Sequence, residues 1–279
     1  MNSFITLMYH NVTPNGAEYS DLSPSVTAYF VDQRTFSAHL LEVCQRGHCV
    51  DTKAIAGFYQ QKSVNVPDVL TLVQVTFDDG WAGSYETAGP ILETHGCQGL
   101  LFVTTDLIGS RHCVSLNDLK RIDPVVMTIG SHAKTHRFLN RMSESEIREE
   151  LSFSKSHLED AVGYEVDTLS IPGGAIDERV RKIASDVGYR FVYTSETYAN
   201  TRHRGSLNIG RIAIKNTTTI DDVRRYVKGD LRKERLRRGL LSIPKRLLGQ
   251  HGYHALRRRV LREAESQEEM VDLSGAQVS

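Results

Sequence analysis

Two adjacent carboxylates, Asp78 and Asp79, follow an apolar run and precede Gly80. Neighbouring carboxylates repel each other, so burying both is costly unless a cation or a proton intervenes. The other interpretation is a solvated turn, because Asp-Gly is common in turns. The motif therefore predicts either a buried cation site or an exposed turn.

His132 and His136 are the second candidate pair, and they too follow an apolar run. On one turn of a helix, histidines at this spacing share a face and can bind the same metal ion. The alternative is a pair of ordinary surface or core histidines. Combined with Asp79, the two imidazoles make the three-ligand set of a catalytic metal site, which leaves open positions for water and substrate.

Short apolar runs recur through the first 215 residues, and each is followed by a helical pattern. Several are apolar at successive positions, which is typical of parallel strands buried on both faces. Seven such units predict an α/β fold whose parallel sheet can close into a barrel, with its active site at the carboxyl ends of the strands. The predicted strands are 4–9, 71–77, 99–104, 125–129, 167–171, 189–193 and 209–214.

Helix starts are marked by capping residues. A capping box at Ser143 predicts a helix towards residue 161, and Asp177 can cap the following one. Thr218 or Thr219 can cap a last helix that ends near residue 227. The weakly patterned stretch from Gly16 to Val31 is expected to be a long loop over the site.

These motifs resemble those of the polysaccharide deacetylase family, the NodB-homology carbohydrate esterases, over about residues 4–215. The resemblance implies a deformed (β/α)7 TIM-like barrel and metal-dependent removal of acetyl from an N-acetylated sugar. It also implies that Asp78 is the general base. Asp79, His132 and His136 would be the ligands of a divalent metal, usually zinc.

The opening run that ends in His10 resembles the subset of the family used in exopolysaccharide biosynthesis, in which this histidine faces the site. The histidine that many members carry near the last strand, as general acid, is absent here. His10 is therefore the candidate acid, and a neutral core histidine is the alternative. Arg211 stands where the subset also has Arg-Ile, and it can orient Asp78 through a bidentate contact or form a purely structural ion pair.

The family's third motif is altered in this chain. Ser170 replaces the usual arginine, and glycine replaces the aromatic residue that follows the proline. Pro172 and Gly173 are expected to line the substrate groove, or else to form a plain tight turn. Trp81, the only tryptophan, is a further candidate for substrate binding.

Composition and termini restrict the class of protein. The chain has 279 residues, 40% apolar and 24% charged, which is typical of a globular protein. It contains no apolar run long enough to cross a membrane, and four cysteines in a chain of this length predict free thiols. Residues 1–10 lack the features of a secretory signal, which favours a cytoplasmic location, with possible attachment at the inner membrane surface.

The stretch from Lys228 to Arg262 contains 12 Lys or Arg against two acids. It divides the chain into a barrel over 1–227 and a basic helical extension with an acidic tail over 228–279. Amphipathic basic helices bind anionic membrane surfaces, although the leucines of this one can instead pack on the barrel. Nucleic-acid binding is not expected, because the stretch has one aromatic residue, Tyr253, and no recognised motif.

The expected function is N-deacetylation of an amino sugar in a polysaccharide or a lipid-linked glycan precursor. The alternatives are a non-catalytic glycan-binding barrel and an amidohydrolase acting on a small non-sugar amide.

Overall fold

The computed structural model describes residues 3–60, 71–234 and 236. Strands and helices alternate along most of this length. The strands are β1 (Phe4–Tyr9), β2 (Asn11–Thr13), β3 (Phe30–Asp32), β4 (Gly47–Cys49), β5 (Thr71–Phe77), β6 (Gly99–Val103), β7 (Met127–Ser131), β8 (Thr168–Ser170), β9 (Phe191–Tyr193) and β10 (Ile212–Ala213). The α-helices are α1 (Pro24–Thr27), α2 (Gln33–Arg46), α3 (Thr52–Tyr59), α4 (Gly83–Glu86), α5 (Ala88–Thr94), α6 (Leu116–Arg121), α7 (Glu144–Val162), α8 (Glu178–Val187) and α9 (Ile220–Val227).

The main sheet is parallel and strongly curled, in the order β10-β1-β5-β6-β7-β8-β9, with β4 added beside β5. A single parallel bridge between Tyr193 and Ile209 joins the end of β9 to the segment that leads into β10. The two ends of the curled sheet therefore meet at this bridge, and further backbone hydrogen bonds, such as Thr194 N–H to the Ile209 carbonyl, cross the same junction. This confirms the deformed (β/α)7 barrel.

The strand predictions hold best where the apolar run is longest. The bounds of β1 and β5 agree with the predicted ones, whereas β7 begins at Met127 rather than at residue 125. Val125 is 77% exposed and lies in a turn, in which the Asp123 carbonyl accepts hydrogen bonds from Val126 and Met127. Val125 is apolar, but it belongs to the turn before β7, and this explains the difference in the start of the strand.

The capping predictions are confirmed. Ser143 closes a capping box at the start of α7, and Asp177 accepts a hydrogen bond from the Val180 N–H at the start of α8. Of the two threonines considered for α9, Thr219 is the cap, and it too forms a capping box. These bonds satisfy N–H groups that the first turn of a helix leaves without a partner.

The prediction of a plain loop from Gly16 to Val31 is wrong. This stretch contains α1 and the start of β3, which pairs with β2 in a small parallel sheet. Leu22, Val26 and Phe30 form a buried apolar cluster with Trp81. The apolar residues of this segment are too few to show a helical or strand periodicity in the sequence. Their burial nevertheless stabilises the position of the segment.

Most of the predicted extension over 228–279 lies outside the described residues, so the domain division and the membrane contact stay predictions. The packed core nevertheless runs past residue 227, because Leu231 is buried against it. No helix in the described part of the chain combines the length and the apolar character that crossing a membrane requires. The four cysteines are free thiols, as expected.

Candidate metal and acid–base site

Asp79, His132 and His136 come together at the carboxyl edge of the sheet. Oδ1 of Asp79 lies 3.4 Å from Nε2 of His132 and 3.2 Å from Nε2 of His136. All three side chains are buried, and one ligand atom of each lies within 4.8 Å of the others. Such an arrangement of two imidazoles and one carboxylate allows all three to bind one ion.

The backbone at this site is bent by unusual conformations. Asp79 and Gly80 both have positive φ, at 74° and 86°, directly after β5. Ala133 and His136 each have φ 61° in the loop after β7. The two histidines therefore do not lie on a helical turn, and the helical geometry expected from their spacing is wrong. Positive φ at non-glycine residues costs about 1–3 kcal/mol each and is concentrated at functional sites.

Glu150, on the inner face of α7, stabilises the loop from His132 to His136, called the histidine loop below, in this conformation. Its Oε2 accepts hydrogen bonds from the backbone N–H groups of Lys134, at 3.0 Å, and Thr135, at 2.9 Å. Its Oε1 accepts another from the Thr135 hydroxyl. Glu150 was not among the site residues predicted from the sequence. The available signal was an acid on the same helical face as Ile147 and Leu151, where an apolar residue is expected.

Further hydrogen bonds orient the ligand atoms. Nδ1–H of His132 donates to the Ser170 carbonyl at 2.8 Å, which leaves the lone pair of Nε2 for a metal. Nε1–H of Trp81 donates to Oδ2 of Asp79 at 3.0 Å, so Oδ1 is the oxygen that faces the histidines. The donor chemistry and its orientation therefore fit a divalent metal ion.

Electrostatics favour a cation at the same point. Burial acts to raise the pKa of Asp79, but the hydrogen bonds to His132 and His136 outweigh it and hold that pKa well below its ordinary value. Burial acts to lower the pKa of His132, and the Asp78 and Asp79 carboxylates raise it overall. A metal ion competes with the imidazole proton for this negative environment.

Trp81 has no exposed surface. Its ring packs edge-on against Phe30, with the ring centroids 4.9 Å apart, and its N–H is engaged by Asp79. The described contacts of Trp81 orient a candidate metal ligand, and its contact with substrate stays a prediction.

Asp78 forms a buried ion pair with Arg211. The two guanidinium N–H groups of Arg211 donate to Oδ1 and Oδ2 of Asp78 at 2.6 and 2.7 Å. The Ser170 hydroxyl also contacts both residues, and Nε–H of Arg211 donates to the Thr194 carbonyl. Burial acts to raise the pKa of Asp78, but Arg211 and His132 lower it overall, so the carboxylate is held ionised beside the candidate metal ligands.

Comparison with known proteins now adds to this geometry. Residues 69–192, which carry Asp78, Asp79 and both histidines, match the family model described as polysaccharide deacetylase. These residues form a polysaccharide deacetylase domain. The resemblance drawn from the motifs is confirmed, and the members of this family are hydrolases that act on N-acetyl amide bonds.

Known proteins are similar to this chain in sequence or in fold. The chain is 24% identical over 208 residues to YxkH of Bacillus subtilis (strain 168), also named as a polysaccharide deacetylase, and the match covers 75% of this chain and 70% of YxkH. The fold is similar to Streptococcus pyogenes deacetylase PplD in complex with acetate, with TM-score 0.69, 22% identity and coverage of 81% and 98%. It is also similar to a de-N-acetylase from Aggregatibacter actinomycetemcomitans, with TM-score 0.69, 15% identity and coverage of 81% and 100%.

His10 lies at the same edge of the deacetylase barrel, directly after β1. Its ring contacts Tyr29, with the ring centroids 4.5 Å apart, and its carbonyl accepts a hydrogen bond from Ser84. Burial lowers the pKa of His10, although the carboxylates of Asp79 and Asp78 act to raise it. The histidine is thus within electrostatic range of the site, and its role as an acid stays a prediction.

Pro172 and Gly173 form a short 3₁₀ turn with Gly174 after β8. Pro172 is buried, whereas Gly173 is exposed and has φ 61°. The turn borders the candidate site, because the Ser170 carbonyl and hydroxyl at its base contact His132 and Asp78. Contact of either residue with a glycan stays a prediction.

Proposed function

We propose that this chain is a metal-dependent deacetylase that hydrolyses the N-acetyl amide of an amino sugar in a polysaccharide or lipid-linked glycan precursor. The observation that carries the proposal is the buried Asp79–His132–His136 cluster beside the Asp78–Arg211 pair, within a polysaccharide deacetylase domain. The similarity in fold to a de-N-acetylase supports an amide as the bond that is cleaved.

Asp79, His132 and His136 would hold the metal. Two nitrogen donors and one oxygen donor suit Zn²⁺, which we propose as the ion. When bound, the ion supplies Lewis acidity towards the amide carbonyl and lowers the pKa of water. Trp81 and Ser170 support this arrangement because their hydrogen bonds hold Asp79 and His132 in orientation.

Asp78 would act as the general base. Its Oδ2 lies 4.0 Å from Nε2 of His132, which places the Asp78 carboxylate beside the proposed metal ligands. An ionised carboxylate offers about four lone-pair sites, and Arg211 and Ser170 use three of them here. The remaining acceptor site is on Oδ1, and it can take the proton of the attacking water.

The departing amine must receive a proton, and either Asp78 or His10 can supply it. Asp78 gains one when it deprotonates water, whereas His10 lies at the rim of the same edge. His10→Ala separates the two sources. If His10 is the acid, turnover falls while metal content stays constant. An unchanged rate assigns the step to Asp78.

Metal analysis of purified protein, with acetate release from N-acetylglucosamine oligomers, tests the function directly. We expect about one divalent metal per chain. His132→Ala should lose most of it and stop acetate release. The matched control is His203→Ala, because His203 is exposed on a turn near the amino-terminal edge of the strands. Full metal occupancy in His132→Ala contradicts the ligand assignment.

Asp78→Asn tests the division of roles between the two aspartates. The variant should retain the metal and lose about 10²-fold or more of the rate of acetate release, the usual scale for a general base. Loss of metal instead would make Asp78 a ligand. Acetate release from a simple N-acetyl amide, but not from oligosaccharides, would make the chain a small-amide hydrolase. Glycan binding without any release would make it a binding barrel.

We also propose that the basic stretch from Lys228 to Arg262 brings the enzyme to an anionic membrane surface. The support is its charge, because each basic residue near such a surface contributes about 1 kcal/mol. A chain ending at residue 236 keeps the described contacts of Glu234 with Arg225 and Tyr226. Full-length protein should sediment with anionic liposomes at low salt and dissociate at high salt, whereas the shortened chain should not sediment. Equal behaviour of the two chains would contradict the proposal.

A further inference from the structure

A lysine lies at the carboxyl edge of the barrel beside His10. β10 pairs in parallel with β1, with Leu7 opposite Ile212 and Met8 opposite Ala213. The Ile214 N–H donates to the Met8 carbonyl at 2.8 Å, which continues the pairing past the end of β10. In this register Lys215 is level with His10, so its side chain emerges at the edge that carries the metal ligands.

Tyr29 contacts both of these residues. Its ring lies 4.5 Å from the His10 ring, and Nζ of Lys215 lies 4.5 Å from the centroid of the same tyrosine ring. The position of Tyr29 is itself fixed, because the Asn216 N–H donates to the Ala28 carbonyl at 2.9 Å. A cation held over an aromatic ring keeps its charge and loses part of its freedom. The ammonium group of Lys215 is therefore preorganised.

The charge of Lys215 is not neutralised within the described residues, where no carboxylate forms an ion pair with it. Other lysines of the barrel do have carboxylate partners, namely Lys134 with Glu149, Lys155 with Glu159 and Lys182 with Asp186. Lys215 is also half-buried rather than fully solvated. A half-buried cation that has no carboxylate partner among residues 3–60 and 71–234, beside a catalytic edge, suits an anionic ligand.

We propose that Lys215, held by Tyr29, binds an anionic group of the glycan whose N-acetyl group reaches the metal site. This inference rests on the proposed deacetylase function and adds a substrate class to it, that of acidic rather than neutral glycans. A carboxylate of a uronic acid and a phosphate of a sugar nucleotide or lipid-linked sugar offer the same chemistry to an ammonium group. Lys215 therefore selects for charge near the amino sugar.

Calorimetric binding to the full chain tests the proposal with three probes. They are an N-acetylglucosamine tetramer, which is neutral, a hyaluronan oligosaccharide, which carries carboxylates, and UDP-N-acetylglucosamine, which carries phosphates. At least one anionic probe should bind about tenfold more tightly than the neutral one, a difference of about 1.4 kcal/mol. The preference should decrease as salt is raised, because ions screen charges that are accessible to solvent.

Variants assign the preference to one side chain. In Lys215→Met the ratio of neutral to anionic Kd should approach one, whereas Lys215→Arg, which keeps the charge, should retain the preference. Tyr29→Leu should weaken it, because the ammonium group is then no longer held. Lys120→Met is the matched control, since Lys120 is an exposed lysine near the end of α6 that approaches the opposite edge of the barrel. It should leave the ratio unchanged.

The outcomes are distinct. A preference for hyaluronan alone indicates a uronate, and one for the nucleotide alone indicates a phosphate. Equal binding of all three probes, no binding of any, or a preference that survives in Lys215→Met overturns the proposal. Acetate release, measured in parallel, tests the enzyme independently. Selective binding of anionic probes without release contradicts the deacetylase function but keeps the subsite, whereas release without charge preference removes only the subsite.

Discussion

Replacing Arg211 by methionine should be among the most destabilising single changes in the barrel. The Arg211 side chain has no exposed surface and the Asp78 side chain is 4% exposed, and the two are joined at 2.6 Å. Removal of one partner leaves the Asp78 charge buried without compensation, which typically costs about 3–5 kcal/mol. A domain of this size shifts its melting temperature by roughly 2–4 °C per kcal/mol, so Arg211→Met should melt on the order of 10 °C lower.

A double-mutant cycle measured by urea unfolding isolates the pair. Arg211→Met and Asp78→Asn should each destabilise the protein, and the double variant should cost less than their sum by about 2–3 kcal/mol, the upper range for residues in contact. Arg111→Met is the control, because Arg111 is 71% exposed and pairs with Asp21 at 3.1 Å on the surface. Surface pairs contribute about 0–1 kcal/mol.

Two results would refute this reasoning. The first is an Arg211→Met variant no less stable than Arg111→Met. The second is a cycle in which the two substitutions are additive, because that means the guanidinium group does not act on Asp78. Arg211→Lys adds a geometric test. Lysine keeps the charge but not the two parallel hydrogen bonds, so it should recover only part of the lost stability.

Three further predictions follow from described contacts. Glu150→Gln should weaken metal binding about 10–100-fold in a chelator competition. Glu149→Gln, which changes a neighbour whose side chain is 71% exposed, should not. Equal metal affinities of the two variants would contradict the role of Glu150 in holding the loop that carries the histidines. Arg224 and Arg46 hold the pKa of Glu42 at about 2, against 4.5 ordinarily. This depressed pKa stabilises the fold fully above about pH 4.5, and the stabilisation is lost as the pH falls towards 2. The difference in urea unfolding midpoint between wild type and Glu42→Gln should therefore become smaller between pH 4.5 and pH 2. A difference that stays constant over this pH range would contradict the role of the ion pair. Gly83→Ala should lower the melting temperature, since a Cβ there would lie 2.2 Å from the Val12 carbonyl oxygen and overpacking typically costs about 1–3 kcal/mol; an unchanged melting temperature would show that α4 can move away from β2.

Much of the barrel could be predicted because its strands are buried on both faces. Continuous apolar runs as long as β1 and β5 are typical of buried strands and not of loops. The polar residues directly after them indicate the catalytic edge of the sheet. The strands that escaped prediction, β2, β3 and β4, have three residues each. β8 and β9 are equally short, but each lies within a longer β-rich run, at 167–171 and 189–193. A run of that length shows no periodicity, and its pairing depends on partners distant in sequence.

The histidine loop shows a different limit. Spacing of i and i+4 fits a helical turn as well as the observed loop, and it cannot distinguish between them. The loop conformation is set by the positive φ of Ala133 and His136 and by Glu150, which accepts hydrogen bonds from backbone N–H groups 15 and 16 residues earlier in the chain. Likewise, the sequence marks Trp81 as a large aromatic beside the metal motif, but only packing against Phe30 turns its N–H towards Asp79.

The junction at which the two ends of the sheet meet has a consequence for how the enzyme is made. Asp78 precedes Arg211 by 133 residues, and Arg211 enters on the far side of the bridge that closes the cylinder. At a synthesis rate of roughly 5–20 residues per second, the ribosome needs roughly 7–27 s to add that length. Once His136 has been added, the nascent chain carries Asp79, His132 and His136, but it lacks the guanidinium group that pairs with Asp78 until Arg211 follows. The edge around Asp78 must then stay hydrated until the arginine emerges, so a ribosome stalled before residue 211 would display an open, water-filled site to chaperones and proteases.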